Sequence, residues 1–115
     1  MITLREILTS LGGELLTPGM NLDIECSKVF ASDLMSDVLA FMEPGSVLMT
    51  GLVNSHVVRT SYLVNVKAII IVQGKRPDMN VVDEARENKL PIISTGFSMF
   101  EACSRISQSF PEGKR

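Results

Sequence analysis

The chain has 115 residues, the size of one domain able to bury an ordinary core without disulfides or a structural metal. Apolar residues make up 45% of it, with no Trp, one Tyr and seven Met, so its core must be aliphatic, which suits a small α/β protein better than an aromatic-rich sandwich. A formal net charge of -2 is too small to draw nucleic acid or acidic lipid to the surface, which argues against both as general partners.

In chain order, Thr3 followed by Glu6 is a capping-box pattern, and Leu4, Ile7, Leu8 and Leu11 recur at helical spacing until Gly12 and Gly13. The spacing predicts a first helix over 4–11. "GELLTPG" and "ECSKVFAS" read as two short strands around a Pro18-Gly19 turn, being too short and aperiodic for helices. "FASDLMSDVLAF" then starts a helix. Asp33 stands ahead of its apolar run as an initiating residue, and Ser36 and Asp37 fall in its first turn, where free N–H groups and the helix dipole favour them. A metal or acid/base pair would need a further carboxylate or a His nearby, and none is present. Met35, Val38, Leu39 and Met42 share the predicted apolar face, and Pro44-Gly45 ends the run.

From there the pattern is regular. "SVLMTG", "KAIIIVQGK" and "LPIISTG" are strands of continuous Val, Ile and Leu, separated by the helical segments "NSHVVRTSYLVN" and "DMNVVDEARENK". "SMFEACSRISQSF" closes the domain as a helix, with Ser98 and Glu101 as a second capping box. Such strands are buried on both faces, and their alternation with helices predicts a three-layer α/β sandwich with a mainly parallel central sheet and right-handed βαβ crossovers. The domain is expected over 1–108, with 109–115 a frayed tail.

Cys26 and Cys103 lack metal-site spacing and read as buried hydrophobes. The Met residues at 35, 42 and 49 read as gap-fillers of the core or an interface. The N-terminus carries an early acidic residue and no apolar leader, and nowhere is there a run of about 20 apolar residues, so a soluble cytoplasmic protein away from membranes is expected. His56 is the only histidine, and no motif places a nucleophile for it.

In open α/β sheets, ligands lie beyond the carboxyl ends of the parallel strands. Those ends are Thr50-Gly51, Gly74-Lys75-Arg76 and Thr95-Gly96, each leading to a helix start at Asn54, Asp78 or Ser98. The glycines are expected to turn backbone N–H groups toward a ligand, and Lys75, Arg76 and Arg59 to neutralise an anion. The candidate ligand-binding residues are therefore Thr50, Gly51, Asn54, Arg59, Gly74, Lys75, Thr95, Gly96 and Ser98, with no catalytic residue, metal or cofactor expected.

The succession "FASDLMSDVLAF", "VLMTGLVNSHVVRT", "AIIIVQGKRPD" and "LPIISTGFSMFEAC" resembles small bacterial and archaeal proteins of the DRTGG domain family, over roughly residues 25–106. Such domains are similar to the N-terminal domain of HPr kinase/phosphorylase and occur fused to phosphotransacetylases and CBS-domain pyrophosphatases. The resemblance implies a fold like that N-terminal domain and a regulatory or dimer-forming role. Of the family's named residues, Arg59 and Gly74 match, whereas Val58, Gln73 and Lys75 stand where Asp, Thr and Gly would. That departure suggests a subgroup of short stand-alone members.

The kinase chemistry needs a G-x-x-x-x-G-K-[ST] loop, and "GKR" lacks its upstream glycine and its hydroxyl. The expected function is a non-enzymatic regulatory or ligand-sensing module, a homodimer, binding a small anionic metabolite or nucleotide. The alternative is an assembly module docking on a partner enzyme through Met35, Leu39 and Met42, or through Phe97 and Phe100.

Overall fold

The computed structural model describes residues 1–110. Along the chain these form β1 (Ile2–Thr3), α1 (Leu4–Ser10), β2 (Glu14–Leu15), β3 (Glu25–Cys26), β4 (Lys28–Ala31) and α2 (Met35–Phe41). Then follow β5 (Ser46–Thr50), α3 (Ser55–Leu63), β6 (Ile69–Ile71), α4 (Met79–Glu87), β7 (Ile92–Ser94) and α5 (Met99–Ser107). The main sheet has the order β2-β7-β6-β5-β4, with β4 to β7 parallel and β2 antiparallel to β7. β1 and β3 pair separately and antiparallel, Ile2 opposite Cys26.

Because β4, β5, β6 and β7 are neighbours in chain order, right-handed crossovers carry α2, α3 and α4 onto one face of the sheet. Leu48, Ile69, Ile71 and Ile92 point to that face and pack with Met35, Val38, Val57, Val58, Val81 and Ala85. The alternate residues Val47, Met49, Ile70 and Ile93 meet Leu4, Ile7 and Leu11 of the first helical segment and Ala102 and Ile106 of α5. The expected three-layer α/β sandwich is therefore observed. Unbroken apolar strands are the consequence of covering both faces, and every residue of β5, β6 and β7 is buried.

The ends of the elements show where local chemistry decided and where it did not. Thr3 and Glu6 form the full capping box on α1. Ser98 accepts from the Glu101 N–H at 3.2 Å, but the Glu101 carboxylate turns to Arg105 (3.2 Å), so only half of the second box forms. The segment read as one strand, "ECSKVFAS", is two: β3 turns away to β1, and β4 joins the main sheet. Leu39 is 51% exposed, contrary to the face predicted for it, whereas Met35 and Val38 are buried and Met42 partly so.

Asp33 does not initiate α2. The cap position is Leu34, with no side-chain cap bond, and the Asp33 carboxylate is held elsewhere. Asp37 does occupy the first turn. Phe110, placed in the tail by sequence, is buried in the core beside α5; residues 111–115 of that expected tail lie outside the described residues.

Candidate functional site

The parallel strands end together, and the residues just past them are joined by hydrogen bonds that run across the sheet. Asp33 lies two residues beyond β4. Its Oδ1 accepts from Thr50 Oγ1 at 2.8 Å and from the Gly51 N–H at 2.7 Å, at the end of β5. Thr50 Oγ1 in turn accepts from the Leu52 N–H at 3.2 Å, which fixes the turn into α3. Thr50 is fully buried and Asp33 exposed, so the carboxylate is anchored on one side and open on the other.

Beyond β6, Gln73 (φ 66°) and Gly74 (φ 68°) both take positive φ, the backbone of a type I′ turn, and the Lys75 N–H closes it on the Val72 carbonyl at 3.4 Å. The tight turn folds Lys75 back over the neighbouring strand end. Its Nζ donates to the Gly51 carbonyl at 3.2 Å, and its own carbonyl accepts from Ser94 Oγ at 3.1 Å. Asp33 and Lys75 thus flank Gly51: a Cβ built on that glycine would lie 3.5 Å from Asp33 Oδ2 and 3.5 Å from Lys75 Nζ.

The other residues expected here divide into frame and bystanders. Asn54 and Ser98 cap α3 and α5, accepting from the Val57 and Glu101 N–H groups at 3.2 Å each. Thr95 is buried and donates to the Leu11 carbonyl at 2.9 Å, tying the end of β7 to the end of the first helix. Gly96 is exposed at the rim with open space around it. Arg59 points to α4, where its Nε meets Glu84 at 3.4 Å, and Arg76 pairs with Glu14 of β2. Lys75 is accordingly the cation brought to the Thr50-Gly51 end.

The glycine amides do not behave as expected. Gly51 gives its N–H to Asp33, and Gly74 gives its N–H to the Thr95 carbonyl at 2.8 Å, because sheet-like pairing continues past β6 and β7. What these glycines supply is room and, at Gly74, left-handed backbone. Asp33 is the residue that sequence reasoning assigned to helix initiation. The available signal was its position immediately after a strand, on the side where sheet ligands lie.

A separate groove of about 620 Å³ opens at the opposite end of the strands, lined among others by Tyr62, Asn65, Lys67, Asn88 and Lys89. It receives the C-termini of α3 and α4. Carbonyl groups and the negative ends of helix dipoles make that end a poorer place for an anion than the end where α3 and α5 begin. Among the described residues, no three His, Cys, Asp or Glu side chains converge as metal ligands would, and no helix is long and apolar enough to cross a membrane.

The model of the DRTGG domain family matches residues 6–109, reaching into α1 at the N-terminal side. Among solved structures, the chain is similar to the CBS and DRTGG domains of the regulatory region of a Clostridium perfringens pyrophosphatase, solved in complex with its activator, diadenosine tetraphosphate. The TM-score is 0.79 at 21% identity, over 97% of this chain and 49% of that one, so the chain spans about half the length of that neighbour. No curated protein sequence matches the chain.

Proposed function

This chain belongs to the DRTGG domain family, and we propose that it is a regulatory, ligand-sensing module without chemistry of its own, which takes a small anionic metabolite or nucleotide beyond the carboxyl ends of β4 to β7 and acts as a homodimer. The observation that carries the proposal is the placement of Lys75 by the Gln73-Gly74 turn, with its ammonium brought back over Gly51 at the end of the sheet where α3 and α5 begin. A fixed cation beside helix N-termini is the usual chemistry of phosphate and carboxylate recognition. The similar pyrophosphatase region is itself regulatory and was solved with a nucleotide activator, a ligand of the proposed class.

Calorimetric titration with nucleotides and phosphorylated metabolites tests the reading. Lys75→Ala is expected to weaken a bound anion by about 1–3 kcal/mol, the range of a charge-assisted hydrogen bond, while the melting temperature of the free protein barely moves. Unchanged affinity in that variant, or a ligand seated elsewhere in a complex structure, would refute it. A concentration-dependent mass by sedimentation tests the dimer.

A second reading, an assembly module docking on a partner enzyme, is favoured by the exposed apolar side chains Leu34, Phe41, Tyr62 and Leu63 at α2 and α3 and by Phe100, 83% exposed. Three of the residues expected to carry it are unsuited: Met35 is buried, Met42 is partly buried against the core, and Phe97 is partly buried beneath the Arg105 guanidinium, 4.1 Å from its ring centre.

A further inference from the structure

The strand-end site holds an acceptor and a donor facing the same small space. Asp33 Oδ1 is occupied by Thr50 Oγ1 and the Gly51 N–H, which fixes the carboxylate and leaves Oδ2 without a hydrogen-bond donor among the described residues. Lys75 Nζ, anchored on the Gly51 carbonyl, approaches from the other side. The two do not close into an ion pair: both are exposed and they stand on either side of Gly51, each 3.5 Å from where a Cβ on that glycine would lie, with no side chain of Gly51 between them.

A group that both donates and accepts a hydrogen bond fits such a slot, and a hydroxyl is the smallest that does. A phosphate or carboxylate alone fits it poorly. A carboxylate or a doubly ionised phosphate ester has no proton to give Oδ2, and either would set a negative oxygen beside the Asp33 carboxylate. Resting on the reading of the site given above, we infer that the ligand is a phosphorylated polyhydroxy compound of the ribonucleotide class. Asp33 takes a ligand hydroxyl as hydrogen-bond acceptor, and Lys75 holds that hydroxyl's oxygen or the adjoining phosphate.

Two substitutions separate this from a simple anion site. Asp33→Asn keeps an oxygen on Thr50 and Gly51 and turns an N–H₂ outward where Oδ2 was. It should weaken a hydroxyl-bearing ligand but strengthen a bare anion, since a repelling acceptor becomes a donor. Gly51→Ala puts a methyl group in the slot at ordinary van der Waals distances from its neighbours, at a residue that is not in the positive-φ region, so the variant should fold normally with the slot filled.

The experiment is calorimetric titration of wild type, Asp33→Asn, Gly51→Ala and Lys75→Ala with ATP, 2′,3′-dideoxy-ATP, ribose 5-phosphate and inorganic sulfate, with melting curves to verify folding. The expected result is tenfold or greater preference for ATP or ribose 5-phosphate over the dideoxy compound and sulfate. That preference should be lost in Asp33→Asn and in Gly51→Ala and should require Lys75. Preference for ATP alone would identify a ribonucleotide, and equal binding of ribose 5-phosphate would assign recognition to the phosphorylated sugar.

Lys75-dependent binding of all four compounds, unchanged or tighter in Asp33→Asn, would overturn the inference while leaving the anion site standing. Binding indifferent to Lys75→Ala, or no binding at millimolar concentration, would overturn both. Should Asp33→Asn fail to fold, Gly51→Ala decides: affinity and preference unchanged in it would overturn the inference.

Discussion

Replacing Asp33 by Ala asks whether this carboxylate starts a helix or joins two strand ends. Its Oδ1 receives two hydrogen bonds, at 2.8 and 2.7 Å, from a buried hydroxyl and a buried amide. The alanine variant leaves the Gly51 N–H without its acceptor and strands the Thr50 proton. An unpaired buried donor costs about 1–3 kcal/mol, and Asp33 itself is exposed enough for water to offset part of the loss. A destabilisation of about 2 kcal/mol is expected, or a fall in melting temperature of roughly 10 °C for a domain of this size.

Helix-cap loss alone would cost about 1 kcal/mol, too near that figure to discriminate by itself. The double-mutant cycle with Thr50→Val discriminates. If the two side chains share a bond across the sheet, urea denaturation should show a coupling energy of about 1 kcal/mol, whereas residues acting independently add to within about 0.3–0.5 kcal/mol. Additivity of Asp33→Ala and Thr50→Val would refute the cross-strand role.

Other consequences follow from single positions. Gly74→Ala meets no atom within 4 Å, so its cost is the left-handed backbone alone, about 1 kcal/mol by chemical denaturation; Gly74→Val should cost more, since β-branching tolerates φ of +68° worse. Gly13→Ala should destabilise more severely than Gly74→Ala, because its Cβ would sit 2.9 Å from the Ser94 carbonyl where β2 joins β7, and thermal unfolding would show the order of the two. Arg59→Ala should change stability by less than about 1 kcal/mol, the worth of an exposed ion pair such as that with Glu84. Burial pushes the Cys26 thiol up from its ordinary 9.0 to about 11, so the folded state holds a proton that the unfolded chain releases above pH 9. Stability should therefore fall as pH rises from 9 to 11, by up to roughly 1.4 kcal/mol per pH unit, and a Cys26→Ala protein should lose that slope in denaturation measured across the range.

Much of the architecture is legible residue by residue. "IIIV" and "PIIS" can only be strands covered on both faces, Asn54 and Ser98 cap the helices they precede, and Gly74 marks a turn that needs positive φ. Each of these is a local decision, settled by hydrogen bonds and burial within a few residues. The candidate strand ends follow from the same alternation, since parallel strands must all finish on one side.

The chemistry within the site was decided at longer range. Asp33 meets a hydroxyl seventeen positions away and Lys75 a carbonyl twenty-four positions away, contacts that exist only once β4, β5 and β6 align in register. The same is true of β1 and β3, two residues each, which carry no periodic signal and form because their backbones meet. Arg59 shows the converse: its sequence position promised a site cation, but the packing of α3 on α4 offered Glu84 first. A side chain's type sets what it can bond, but with donors and acceptors of similar strength on several elements, only the tertiary packing selects which partner lies within bonding reach.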